Sequence, residues 1–201
     1  MTRTISALYD TYSDATAAVR ALEAAGIPHS DISMVANRGS ADWNDRTTAP
    51  SDTAKDAGAG AGIGAGVGGL GGLLAGLGVM AIPGVGPVVA AGWLVATAVG
   101  AAAGAAVGGA AGGLIGSLTE AGVPEDEANL YAEGVRRGGT LVTARVEDMK
   151  AAEAQSILSQ HKSVDLVMRG QFYRDNGWSR FDPDAAVYTP EQVSKERTLY
   201  R

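Results

Sequence analysis

Residues 124–148 read PEDEANLYAEGVRRGGTLVTARVED, and the order of their signals predicts a helix followed by a strand. Pro124 is favoured at the first position of a helix, and the acidic residues 125–127 complement the positive end of the helix dipole. Two arginines and then Gly138 mark the other end of the helix, because glycine readily leaves the helical conformation. Over residues 140–146 apolar side chains occupy every second position, which is typical of a strand.

Further helix and strand patterns lie on both sides of this segment. After it, apolar spacing predicts a helix over 148–161, and alternation predicts a strand over 163–168. At the other end of the chain, residues 4–9 predict a strand, Ser13 is a suitable cap for a helix, and residues 31–36 predict another strand. The two ends of the chain therefore have the same order of elements.

This repeated order of strand, helix and strand decides the expected fold class. Two βαβ units in tandem form a ferredoxin-like α+β sandwich, in which a four-stranded sheet carries both helices on one face. We predict this fold, with a long Gly/Ala-rich helical hairpin inserted between strands 2 and 3. The alternative is that the two units are unrelated fragments.

The changes in composition divide the chain into five segments. They are the first βαβ half (1–36), a polar linker (37–56), a glycine-zipper helical hairpin (57–119), a helix plus the second βαβ half (120–169), and an aromatic-rich tail with a short terminal helix (170–201). Thr189 as an N-cap and Pro190 at the first helical position predict that terminal helix.

The hairpin segment has glycine at every fourth residue in two series. Such spacing puts a strip of bare backbone on a helix, which lets another helix approach closely. Residues 82–87, IPGVGP, interrupt the segment, so we expect helical arms over about 57–81 and 88–119. We predict that the strip mediates helix packing and oligomerisation through Gly60, Gly64, Gly68, Gly72, Gly76, Gly100, Gly104, Gly108, Gly112 and Gly116.

Three environments are compatible with these arms. A disordered glycine tract is one, because each helical glycine costs about 1 kcal/mol relative to alanine. Lipid is another, because either arm is long enough to cross the ~30 Å hydrocarbon layer. The third is an assembly in which hairpins bury one another. The flanks lack the basic residues and aromatic belts that usually anchor a membrane helix, so the choice between lipid and protein stays open.

Composition excludes several classes of function. The net charge of −6 argues against a nucleic-acid partner, which normally requires a basic face. The chain has no cysteine, so thiolate metal sites and cysteine nucleophiles are excluded. The first ten residues contain no apolar run of the kind that a secretory signal needs, so we expect a location on the cytoplasmic side, with inner-membrane association as a possibility.

Motifs for catalysis are weak throughout. GxGxxG matches within 64–71 are expected by chance in so glycine-rich a tract, and no predicted strand precedes them. The two histidines, His29 and His161, fall in a turn and at a helix end, where histidine is usually a partner of the helix dipole. The acidic residues 125–127 are explained by the same dipole. We therefore expect no enzyme activity, no catalytic residue, no cofactor and no metal.

Aromatic residues are concentrated in the tail, which is too short to form its own core. Such rings need a surface to lie on, either their own sheet or hairpin or a neighbouring subunit. The residues predicted for possible subunit docking are Phe172, Tyr173, Trp178, Phe181 and Tyr188.

Four segments resemble a bacterial family of heat-induced or general stress proteins, in which a βαβ domain precedes a glycine-zipper hairpin. They are ALYDTYSDATAAVRALEAAGIPHSDISMVA, AIPGVGPVVAAG, EAGVPEDEANLYAEGVRRGGTLVTARV and GWSRFDPDAAVYT. The resemblance implies a stress-associated, often membrane-linked protein without a catalytic site to carry over. Together with the glycine series it predicts a non-enzymatic protein whose partner is itself, and possibly membrane lipid. A water-soluble particle or filament, and a ligand-sensing ferredoxin-like module, are the alternatives.

Overall fold

The computed structural model describes residues 1–37, 78–82, 85–94 and 112–200. Within these ranges the strands are β1 (Thr2–Tyr9), β2 (Ile32–Asn37), β3 (Gly78–Ile82), β4 (Gly86–Ala91) and β5 (Thr140–Glu147). The α-helices are α1 (Tyr12–Ala24), α2 (Gly112–Glu120), α3 (Glu125–Arg136), α4 (Ala151–Gln160), α5 (Leu166–Asp175) and α6 (Pro190–Leu199). Short 3-10 turns at His29–Asp31 and Asp148–Lys150 precede β2 and α4.

The strands form one antiparallel sheet in the order β1-β5-β2-β4-β3. β5 lies between the two strands of the N-terminal unit, with Ala144 facing Ile5 on β1 and Ile32 on β2. Strands from the two ends of the chain therefore lie side by side in one sheet.

One face of the sheet is covered by α1 and α4. Side chains from alternate positions of β1, β2 and β5 pack there against Val19, Leu22 and Leu158, all of them buried. The hydroxyl of Tyr9 donates to the carbonyl of Leu158 at 2.9 Å, which satisfies the polar end of a fully buried ring. The two helices of the predicted βαβ order thus lie on one face.

The opposite face is covered by α2 and α3. Leu8, Val35 and Leu141 point to this side and pack against residues of both helices. Gly134 on α3 lets Leu8 pack closely, because a Cβ at this position would make the Leu8 side chain shift. Helices therefore cover both faces of β1, β5 and β2, and the protein is a mixed α/β fold with helices on either side of an antiparallel sheet.

The strand predicted over 163–168 is wrong, because α5 begins at Leu166. Asp165 caps that helix by accepting hydrogen bonds from the N–H groups of Val167 and Met168, at 2.9 and 3.0 Å. A single backbone bond of 2.8 Å, from Val164 N–H to the carbonyl of Leu8, is made at the edge where a fourth strand would pair. The cap therefore outweighs the alternation of apolar residues.

The predicted helical arms are also wrong where the structure describes them next to the break at 82–87. Residues 78–82 and 86–91 form the antiparallel pair β3 and β4, and β4 pairs with β2. The Val- and Ile-rich sequence around the break suits a strand better than a helix, and the free edge of β2 supplies the pairing partner. Residues 112–120 are helical, as predicted for the second arm. Apart from residues 92–94, which follow β4, the rest of both arms and the linker after Asn37 lie outside the described residues.

Candidate functional site

Two of the ten glycines predicted for helix packing lie within the described ranges, Gly112 and Gly116 on α2. Leu114 and Leu118 of this helix are buried in the core between the sheet and the helices α2 and α3. One side of α2 therefore packs on the protein. Gly116 lies on the other side, and a Cβ built on it would meet no described atom within 4 Å. The remaining eight glycines, from Gly60 to Gly108, lie outside the described residues.

Two aromatic residues of the tail, Tyr173 and Tyr188, lie against the arginines at the C-terminal end of α3. Tyr173 and Phe181 are buried by their own chain, and Tyr173 contacts Trp178 edge-to-face at a centroid distance of 5.9 Å. Phe172, Trp178 and Tyr188 remain partly exposed. Tyr173 and Phe181 are thus covered without a second subunit, whereas docking through the other three rings stays a prediction.

A buried set of charges holds this tail in place. Glu133 is 0% exposed and accepts hydrogen bonds from both neighbouring arginines, at 2.7 and 2.9 Å from Arg136 and 2.6 Å from Arg137. Arg137 also pairs with Glu196 on α6, so one guanidinium joins α3 to the terminal helix. Burial acts to lower the pKa of Arg137, but the hydrogen bonds and charges of Glu196 and Glu133 outweigh it and raise that pKa. We call Glu133, Arg137 and Glu196 the charge bridge.

Aromatic rings complete the contact between tail and body. The guanidinium carbon of Arg137 lies 4.1 Å from the centroid of the Tyr173 ring, and that of Arg169 lies 3.5 Å from the centroid of Tyr200. Arg169 also binds both carboxylate oxygens of Asp10 at 2.9 Å. Burial raises the pKa of Tyr200, and the charge of Glu196 adds to this effect, so the hydroxyl stays protonated as a hydrogen-bond donor.

Sequence reasoning assigned the arginines at the end of α3 to the helix dipole and missed the charge bridge. Glu133 stands three and four residues before them, a spacing that places oppositely charged side chains together on a helix. The pairing of Glu133 with the arginines could therefore have been predicted from the sequence. Asp10 and Arg169 are 159 residues apart in the chain, and no local pattern links them. The carboxylates of Asp10, Glu133 and Glu196 each pair with an arginine. These ion pairs join the tail to the rest of the fold.

The histidines and acidic residues are placed apart. His29 Nδ1 lies 2.8 Å from Glu23 Oε1, and His161 follows the end of α4. Glu125, in the first turn of α3, pairs with Arg180 of the tail. Over the described ranges no group of three His, Cys, Asp or Glu residues is arranged to hold a metal ion. The GxGxxG matches lie outside the described residues.

A groove of about 340 Å³ runs along the outer edge of β1. We call it the edge groove. Its floor includes Thr4 and Ser6, one wall carries Tyr131 of α3, the other carries Gln155 of α4, and Val164 lies at its end. The groove occupies the position that the predicted fourth strand would have taken.

Comparison with known proteins gives no relative for this chain. No family model, no curated protein and no solved structure matches it. In the part of the chain that the structure describes, none of the helices has the length and apolar character needed to cross a membrane.

Proposed function

We propose that this chain is a non-enzymatic, self-assembling protein of the stress-response type, whose copies associate through the glycine-rich segment. The observation that carries the proposal is the position of Gly116, on a helix held to the core by its other side. We also propose that β1, α1, β2, β5 and α4 are a ferredoxin-like frame, with the glycine-rich segment inserted between its halves.

The reasoning rests on the cost of a helical glycine. Glycine in a helix is about 1 kcal/mol less favourable than alanine, so a helical glycine often marks a place where another group packs closely against the helix. For Gly134 the reason is visible, because Leu8 occupies the space of a Cβ. For Gly116 no described atom takes that space. Close approach of another glycine-rich helix, from a second copy or from the undescribed part of the segment, would supply the reason.

The setting of the assembly is part of the same proposal. We favour association with a membrane surface or its interior, because the sequence over 57–119 is long, free of charge and rich in small residues. The alternative is a water-soluble particle in which the segments bury one another. Both settings use the same glycine strip, and they differ in whether the protein floats with lipid vesicles.

Substituting Gly116 tests the proposal. We expect Gly116→Leu to reduce the mass of the assembly in sedimentation velocity, because a large side chain blocks close approach of a second helix. Gly116→Ala is the matched control, since it also raises helix propensity and apolarity but keeps a small side chain, and we expect it to assemble like the unmodified chain. A Cβ at position 116 meets no described atom within 4 Å, so the alanine variant should fold, and circular dichroism with thermal melting checks the fold of the leucine variant. An unchanged mass for Gly116→Leu, with and without vesicles, would contradict the proposal.

A further inference from the structure

Another cavity, of about 430 Å³, lies between the start of α3 and the end of α5. We call it the tail pocket. One wall carries Glu125, Asp126 and Asn129 of α3, and the other carries Arg174 of α5 and the tail residues 178–180. It shares no residue with the edge groove or the charge bridge. Its volume lies within the range of small-molecule sites.

Two buried polar atoms of the tail pocket lack hydrogen-bond partners in the described part of the chain. Asn129 is only 4% exposed, and its Nδ2 donates to the carbonyl of Glu125 at 2.8 Å. Its Oδ1, however, accepts no hydrogen bond from the described residues. The indole N–H of Trp178, on the other wall, likewise has no acceptor among them. Such groups are costly unless they are paired, so the pocket suits a ligand that has both a donor and an acceptor.

The two walls also carry opposite charges that no ion pair neutralises within the described residues. They belong to Asp126 on α3 and Arg174 on α5. The Arg174 side chain folds back over Gly170, where its two terminal nitrogens lie 3.3 and 3.5 Å from the place of a Cβ. Both Asp126 and Arg174 are exposed, so they reach the pocket from its solvent side. A ligand with one positive and one negative group therefore matches the pocket.

We infer that the tail pocket binds a free α-amino acid with an apolar side chain. Its carboxylate accepts the indole N–H of Trp178 and pairs with Arg174. Its ammonium group donates to Oδ1 of Asn129 and pairs with Asp126. Leu130, which is 7% exposed and lines the same pocket, offers apolar surface to the amino-acid side chain. The site includes no glycine of α2, so it goes beyond the proposed function and does not depend on it.

A small molecule is the occupant that can reach the inner residues of the pocket. The two walls are joined by the ion pair between Glu125 and Arg180, and both of these side chains are exposed. Exposed pairs contribute little to stability, so the tail segment moves away from α3 at small cost. A folded partner would be stopped by the charged side chains at the mouth. An amino acid passes between them to Asn129 and Trp178.

Titration calorimetry of the unmodified chain with L-leucine tests the inference. We expect saturable binding of leucine. Isopentylamine is leucine without its carboxylate, and isocaproate is leucine without its ammonium group. Each should bind about tenfold more weakly or less, because a buried group of the pocket then stays unpaired. No binding of leucine, or equal affinity for either analogue, would overturn the inference.

Variants of the two charged residues locate the site. Arg174→Gln and Asp126→Asn should each weaken leucine binding about tenfold or more, because each removes one charge partner of the ligand. Thermal melting without leucine should change little, since neither residue has an ion pair among the described residues. The matched controls are Arg20→Gln, at an exposed arginine of α1 on the opposite face of the sheet, and Glu127→Gln, which lines the edge groove. If all four variants bind leucine equally, leucine binds elsewhere and the inference is wrong.

A third pair of variants addresses the indole donor. Trp178→Phe keeps an aromatic ring but removes the N–H, and should weaken leucine binding. Trp93→Phe is its control, because the Trp93 N–H donates to the carbonyl of Asp31 at 3.1 Å, outside the tail pocket, and binding should be unchanged. Full affinity in Trp178→Phe would contradict the inferred site. Gly116→Leu should bind leucine like the unmodified chain, so a failure of the assembly proposal and a failure of this inference are told apart.

Discussion

Glu133→Ala is expected to lower the free energy of unfolding by about 3–5 kcal/mol, the usual cost of removing one partner from a buried ion pair. Glu133 is completely buried and is the shared acceptor of two arginines that are themselves 11% and 9% exposed. Without it, Arg136 and Arg137 keep their charge in a poorly solvated site and only Glu196 remains to balance them. Urea denaturation at one fixed protein concentration measures the loss.

The matched control for this substitution is Glu125→Ala. It removes the same type of residue from the same helix and also breaks an arginine pair, but the side chains of Glu125 and Arg180 are 61% and 68% exposed. Exposed pairs contribute about 0–1 kcal/mol, so we expect a loss within that range. Similar losses for the two variants would show that the charge bridge is not what holds the tail to α3.

Gly92→Ala is expected to destabilise the protein by about 2–5 kcal/mol, combining left-handed backbone strain with overpacking. Gly92 follows β4 with a φ of +96°, and a Cβ there would lie 2.5 Å from Ser33 Oγ and 2.7 Å from Ser33 Cα. The backbone of β2 cannot move away without losing its ladder. The clash would also disturb the bond from Leu94 N–H to Ser33 Oγ, at 2.8 Å.

Gly122→Ala separates the two causes. Its φ of +91° is nearly the same, but a Cβ there would meet no described atom within 4 Å. We therefore expect a loss of about 1–2 kcal/mol, from backbone strain alone. Thermal or urea unfolding of both variants gives the comparison, and equal losses would mean that close packing of Gly92 on β2 contributes nothing.

The elements that the sequence predicted well are those with local signals. The helix after Pro124 has its acidic first turn, its basic last turn and its glycine stop within one segment, and α3 forms there. The capping box at Thr189 likewise marks the start of α6. In each of these cases neighbouring residues contain the information, and no distant contact is needed.

The elements that the sequence mispredicted depend on competing or distant partners. Alternating apolar residues at 163–168 suit a strand, but the Asp165 cap starts a helix before the alternation is complete. The strands β3 and β4 depend on the open edge of β2, which is more than 40 residues away for every pair in the β2–β4 register. The link from Asp10 to Arg169 is equally non-local. The spacing of apolar residues alone does not show which edge of a sheet an additional strand will pair with, or whether a helix cap will start a helix instead of a strand.

Sedimentation velocity of the unmodified 201-residue chain, without detergent and over a wide range of concentrations, tests self-assembly most directly. Association through the glycine strip predicts particles heavier than a single chain, in a fraction that rises with concentration. A sharp boundary at the mass of one chain at every concentration, unchanged when lipid vesicles are added, would contradict self-assembly through the glycine strip.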